Sequence, residues 1–339
     1  MRRFFNSRGF MDNRPSFYNS AYQRFIDAPQ QTLNFLVSQL TYIEPEVYRT
    51  QYPDLQYAML VPVDTSANEW VRSITFFSID TAGKAAWFSH LARDIPVADV
   101  TRAKFEQTVD MGAIGYRYST EELAVAAMTP GMNLSNERAM AAKRAAEEFI
   151  DDVAIRGDLD KNWTGLINRT DVTAVDPASD GTGSSPYWTT KDSTKIMRDF
   201  NSNLTGIFLG TLTVDMADTV LLPWTALTYL SEQQMPNLPM TILDWIQTRN
   251  LYTFQTGRPL KIMGVRGLET AGAGGTGRMV CYRRDPQVLK LHLPMPHRFL
   301  PVWQEGPMVY AVPGVFRTGG LEVRRPTAFR YMDHIMPAP

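Results

Sequence analysis

The residues of this chain whose types can do chemistry are four histidines, one cysteine, a glycine-rich hexapeptide and two acidic runs. Gly272-Ala-Gly-Gly-Thr-Gly277 has the G-x-G-x-x-G spacing that cradles phosphate. That use needs a strand before it and a helix N-terminus after it. Arg278-Met-Val-Cys-Tyr282 reads instead as a strand, so a flexible loop is expected. Asp158-Leu-Asp-Lys-Asn162 begins like a calcium loop, but Trp163 stands where Gly is required and Arg169 where the closing Glu belongs. A turn leaving a helix is the better expectation. None of His90, His292, His297 and His334 has a metal-binding partner at helical spacing, and structural or solvated roles are expected. Glu147, Glu148, Asp151 and Asp152 have the residue types of an acid–base pair. Lys143, Arg144 and Arg156 beside them make a solvated helix face the simpler reading. Cys281 is alone, which excludes an intramolecular disulfide framework and a Cys-rich zinc site. A buried, inert thiol on a strand is expected. There is no nucleophile elbow and no P-loop. We therefore assign no catalytic, cofactor-binding or metal-ligating residue from the sequence.

The gross numbers set the bounds. Its 339 residues suffice for one large domain or two or three lobes. Hydrophobic residues make up 44% and charged residues 20%, which supports a packed core. A net charge of −1 gives no general hold on nucleic acid or membrane. It also gives little protection against self-association. The start, Met1-Arg-Arg-Phe-Phe-Asn-Ser-Arg8, carries the charge of a signal peptide without a continuous apolar run after it, so cytoplasmic synthesis is expected. The Asn-X-Thr matches at Asn162, Asn168 and Asn203 then carry no glycosylation.

The elements follow in order. Residues 1–30 mix five arginines with Phe4, Phe5, Phe10, Phe17, Phe25, Tyr18 and Tyr22 without a period. A disordered tail is usually poor in aromatics, so an extended arm docked on another surface is expected. A short helical pattern follows at Leu33, Phe35, Leu36 and Leu40. Trp70–Ile79 is β-rich, and 103–111 alternate, with Ala103, Phe105, Val109 and Met111 on one face. The parity flips after Gly112 to Ile114, Tyr116 and Tyr118, which suggests a bulge. Pairing 70–89 with 98–118 makes a hairpin with legs of roughly 65 Å, tipped by Asp94-Ile-Pro-Val97. A globule of this length is only about 50 Å across, so such an arm folds back or reaches another subunit.

Ser119-Thr-Glu-Glu122 fits a capping box that opens a short helix to Met128. A longer helix restarts near Asn133 or Ser135, with Ala142, Ala146, Phe149, Ile150 and Val153 as its apolar stripe, Asp152 and Arg156 as an i,i+4 pair, and Gly157 as its C-terminal cap. A loop is expected at 181–188, helices at 192–208 and 241–248, and strands at 219–222, 260–265, 278–283 and 288–293. Pro223 fits the first turn of another helix. Strands at 309–312 and 321–326 are read as joined through Gly319-Gly320. The class is α+β.

This ordered set resembles the major capsid proteins of tailed bacteriophages, with the Hong Kong 97-type fold. The resemblance rests on Asp94-Ile-Pro-Val97, on Tyr118–Leu123 leading into Asn133–Ala145, and on Gly157, Gly165-Leu-Ile-Asn168, Trp188-Thr-Thr190 and Gly319–Pro326. It implies an N-terminal arm and lead-in at 1–69, an extended loop at 70–118 lying over a neighbour, a peripheral domain of 119–190 plus 300–339 with a spine helix, and an axial domain at 191–299. It also implies pentamers and hexamers of this chain in an icosahedral shell around double-stranded DNA, with portal, scaffolding or decoration proteins as further partners, weak non-specific contact with the packaged DNA, no membrane, and residence in the virion. Lys84 lies in the loop where some members form a Lys–Asn cross-link, but no Asn or acidic partner is identified. An encapsulin-like nanocompartment shell shares the fold and is the alternative; a β-rich enzyme is the third reading.

Overall fold

The computed structural model describes residues 52–85, 97–128, 134–236 and 238–339. The expected N-terminal arm, the helical pattern at 33–40, His90 and the Asp94–Pro96 part of the hairpin tip lie outside the described residues.

One five-stranded sheet organises the core. Its order is Lys261–Gly264, Thr219–Leu222, Met279–Tyr282, Phe329–Met332 and Ala174–Val175. Thr219-Val-Leu-Leu222 and Met279-Val-Cys-Tyr282 are buried at every position, as continuous apolar runs must be when both faces of a sheet are covered. Alternation sends successive side chains to opposite faces. Leu221, Val280, Tyr282, Phe329 and Tyr331 enter one cluster, which also holds Ala146, Ile150, Leu289, Leu291 and Phe316. Val220, Leu222, Met279, Cys281 and Met332 enter the other, under Trp188, Ile196, Phe200, Leu204 and Ile207. The helix Ser193–Gly210 covers that second face with residues spaced by three and four. Strands from 191–299 thus share one sheet with strands from either side of that stretch.

The expected long helix runs Leu134–Ile155. Its buried face is Ala142, Ala146, Ile150, Val153, Ala154 and Ile155, and the small alanines bring its backbone close to the layer beneath. Phe149 is half-exposed rather than part of the stripe, its ring 5.7 Å from that of Phe316. Gly157 ends the helix at φ +77, and a Cβ there would lie 2.2 Å from the carbonyl oxygen of Trp163. Only glycine allows both that dihedral and that approach. Asp151 accepts the backbone amides of Gln56 and Tyr57 at 3.0 and 2.7 Å, pinning the lead-in segment to this helix.

Three expectations change. The hairpin pairs Ser73–Ala82 with Asp99–Thr108, ten residues a side, so each described leg spans about 33 Å rather than roughly 65 Å. Beyond Val109 the second leg leaves its partner: Asp110–Ala113 pairs with Gly314–Thr318, and Tyr116–Ser119 with Val309–Val312. Gly112 is no bulge. It sits in register opposite Phe316, and a Cβ would fall 2.2 Å from that ring's Cζ. Gly319-Gly320 does not join 309–312 to 321–326. The strand Gly314–Thr318 intervenes, and the glycine pair is the corner at which the chain passes to another sheet as Gly320–Val323.

Candidate assembly surface: the hairpin and its root

A two-stranded ribbon has two faces and, alone, marginal stability. In an antiparallel pair, directly opposed residues share a face. Phe76 opposes Phe105, and their rings stack at 5.2 Å. On this side the guanidinium of Arg324, from the body, lies over the Phe76 ring at 5.4 Å. The other side carries Phe77, Ile79 and Val100 with Arg102 and Lys104. Phe77 is 64% exposed and Ile79 57%, an apolar surface that the other described residues leave largely uncovered.

The root is held firmly. The Trp163 indole donates to Thr108 Oγ1 at 3.0 Å, and the Gln107 amide donates to the Gly319 carbonyl at 2.8 Å. Arg317 is buried and donates to the carbonyls of Glu69 and Val109 at 3.1 and 3.4 Å. Lys161 pairs with Asp110 at 3.1 Å. A cleft of about 810 Å³ lies between the ribbon, where Phe76, Phe77, Ile79 and Phe105 line it, and Trp163, Arg324 and Pro326.

Behind the root lies a buried polar cluster. His292 and Glu322 are paired side chain to side chain, and both are buried. Arg324 donates to Glu322 at 2.5 Å, Lys290 to Asp64 at 2.5 Å, and His292 Nδ1 stands 3.8 Å from Asp64. Burial pushes the Glu322 carboxyl up, but hydrogen bonds from His292 and Arg324 outweigh it and hold it below the usual range. Asp64 is lowered in the same way: burial opposes, and hydrogen bonds from Lys290 and Ser66 prevail. Arg324 thus joins this cluster to the hairpin through Phe76.

The capping box fixes the point beyond the ribbon's root where the chain turns from the strand Tyr116–Ser119 into a helix. Ser119 Oγ accepts the Glu122 amide at 3.1 Å and the Ser119 amide donates to Glu122 at 3.0 Å, opening the helix Thr120–Met128. Arg138 of the long helix donates to both Glu122 oxygens at 3.1 Å. These bonds, first that of Arg138, bring the Glu122 carboxyl down to about 2.

The residues singled out for chemistry are scattered. Gly272–Gly277 is a loop with bonds from Gly272 to Thr276, from Gly277 to Met336 and from Ala273 to Asp333, and a strand rather than a helix follows it. Asp158–Asn162 is the tight turn between Gly157–Asp158 and Trp163–Thr164. His297 packs edge-on to Phe299, and His334 meets Asp176 at 2.8 Å. Glu147, Glu148 and Asp152 pair with Lys143, Arg144 and Arg156 along the helix. Cys281 is buried, accepts from Asn203 at 3.2 Å, and burial pushes its thiol up to about 12. Lys84 is exposed just past the described end of the ribbon. Among the described residues no group of His, Cys, Asp and Glu could hold a metal, and no helix is long and apolar enough to cross a membrane. The sequence reading missed Arg317 and Glu322. Both are charged residues inside buried strands, and no local pattern marks them.

Comparison with known proteins fits a subunit built around its surfaces. The capsid of Myoviridae phage XM1 superposes with a TM-score of 0.71 at 18% identity, covering 87% of this chain and 97% of that chain. Microbacterium phage Oxtober96 gives 0.61 at 11% identity, with 89% and 97% covered. The capsid of the native GTA particle gives 0.57 at 10%, with 87% and 95% covered. At these identities the fold alone is shared, and it is the Hong Kong 97-type capsid fold expected from the sequence. No curated protein sequence matches the chain. The family model described as "Major capsid protein" matches residues 83–335, well over half of the chain. This chain belongs to the major capsid protein family, whose members are structural shell proteins of the virion.

Proposed function

We propose that copies of this chain close into an icosahedral bacteriophage shell of pentamers and hexamers around double-stranded DNA, each copy laying its hairpin over a neighbour. The observation that carries this is the hairpin's exposed apolar surface. Phe77, Ile79 and Val100 stay exposed on a ribbon that two strands cannot stabilise alone. A covering surface on another copy supplies what the chain lacks. Closed symmetry lets each copy make several such contacts at once, so each can be weak.

We retain the four-part division: arm and lead-in 1–69, extended loop 70–118, peripheral domain 119–190 plus 300–339, and axial domain 191–299, with the last two sharing the central sheet. Portal, scaffolding or decoration proteins are the further partners, synthesis is in the host cytoplasm, and DNA contact is weak and non-specific. We assign the chain no catalytic role. The test is to express the chain, isolate its particles and measure their content during infection. Closed shells that fill with phage DNA are expected. Particles filled with an enzyme cargo, or a chain that stays monomeric at high concentration, would overturn the reading.

A further inference from the structure

One corner of the chain concentrates positive charge. The whole chain balances 34 Lys and Arg against 35 Asp and Glu. From Trp245 to Leu268, however, it carries Arg249, Arg258, Lys261 and Arg266 and no acid. The helix Ile242–Thr248 has Asp244 in its first turn, and Arg249 caps its other end. Asn250 then opens the helix Leu251–Thr256: its Oδ1 accepts the Thr253 amide at 2.9 Å, and its Nδ2 donates to the Ile246 carbonyl at 2.8 Å. Gly257 ends that helix at φ +70, and Lys261 starts the edge strand of the central sheet. Asn250 is buried, and Ile242 and Ile246 enter the core cluster beneath. The backbone that carries these charges is therefore fixed.

Arg249, Arg258 and Lys261 are all exposed. Arg266 donates to the Asp54 carbonyl at 3.3 Å, but among the described residues no hydrogen bond or ion pair holds the side chains of the other three. Asp218, whose carbonyl accepts the Lys261 amide at 3.1 Å, has its carboxylate engaged by the Thr219 hydroxyl and the Arg284 amide. In sequence between Arg249 and Arg258 stands Phe254, 91% exposed. Unpaired cations around an exposed ring suit a polyanion that also has apolar parts. Duplex DNA carries one phosphate charge per about 1.7 Å of its axis, and cations gain by displacing its counterions. The ring can lie against sugar or base edges.

We infer that the corner formed by Arg249, Phe254, Arg258 and Lys261 is the surface through which this chain meets the phosphate backbone of double-stranded DNA. The inference rests on the proposed DNA-filled shell and adds which residues touch the contents. Phosphate contacts position a protein on DNA without reading its sequence. A shell wall must tolerate every stretch of the molecule it encloses, and this corner offers cations and one ring rather than a set of base-reading side chains. Three cations per copy hold weakly, and many copies add up.

The test uses the full-length chain. Unassembled subunits are titrated against a short fluorescent DNA duplex, with anisotropy read between about 50 and 200 mM salt. The triple variant Arg249→Gln, Arg258→Gln and Lys261→Gln removes three phosphate contacts. It should flatten the slope of log affinity against log salt by about 2.7 and weaken binding at the low-salt end on the order of tenfold. The control triple Arg102→Gln, Lys104→Gln and Lys143→Gln, on the hairpin and the long helix, should keep the parent slope. Ultraviolet cross-linking of DNA-filled particles from infection should give nucleotide adducts on Phe254 or the cations beside it. A parent slope in the first triple variant, or adducts confined to other segments, would overturn the site. A first triple variant that binds DNA as the parent does but no longer closes shells would make the corner a contact between copies, and would overturn it too. DNA-filled particles with adducts elsewhere bring down only this site. Particles that never hold phage DNA bring down the proposed function and this inference with it.

Discussion

The indole of Trp163 donates a hydrogen bond to the hydroxyl of Thr108 at 3.0 Å, tying the turn behind the long helix to the root of the hairpin. The two residues lie 55 positions apart. The same ring packs over Gly320, where a Cβ would stand 3.0 Å from it. One side chain therefore locks the ribbon, the turn and the corner between two sheets. Trp163→Phe keeps a ring there and loses the donor. It should cost about 1–2 kcal/mol in urea unfolding, the net worth of one hydrogen bond with some lost packing. Protection from hydrogen exchange should fall chiefly at 105–109. Uniform loss across the central sheet would contradict this role.

Gly112 faces Phe316 across a strand pair at a distance no Cβ tolerates. Gly112→Ala should destabilise the chain by about 1–3 kcal/mol through overpacking. Phe316→Leu added to it should recover part of that loss, because the smaller side chain vacates the space. Two substitutions whose costs simply add would show that the contact is not the cause.

The cluster behind the root predicts acid lability. Glu322 has a folded pKa below its ordinary 4.5, and Asp64 below its ordinary 3.8. Each contributes stability that is fully present above the ordinary value and is lost as pH falls through the folded one. The urea midpoint should hold level at neutral pH and decline below about pH 4.5. Glu322→Gln should flatten part of that decline while lowering stability at neutral pH. Arg324 bonds Glu322 and covers Phe76, so tryptophan fluorescence at the root should change over the same pH range. An acid limb identical in Glu322→Gln and the parent would contradict the assignment.

Much of this architecture is legible in the sequence where local physics is strong. The Ser119 box, the long helix with its Gly157 cap, and the strand Thr219–Leu222 all follow from capping, period and continuous burial. The strands Gly314–Thr318 and Phe329–Met332 escape a sequence reading because each is short and has an arginine among its few apolar residues. Arg317 is buried among the carbonyls of Glu69 and Val109, a long-range partnership that no window of sequence displays. The glycine at 112 was misread for a similar reason: its cause is a ring about two hundred residues away. The hairpin is legible, but the point where its legs part is not, because the second leg's alternation runs on through Met111 while its partner changes after Thr108.

The hairpin, on the proposed function, holds neighbouring copies together. The direct measurement is sedimentation and electron microscopy of the chain with residues 80–98 deleted, beside the full-length chain at equal concentration. The described residues of the deleted stretch, 80–85 and 97–98, are exposed, so the subunit should remain folded and monomeric or form only small, unstable oligomers, while the full-length chain closes into shells. Shells of normal size and stability from the deleted chain would contradict the claim.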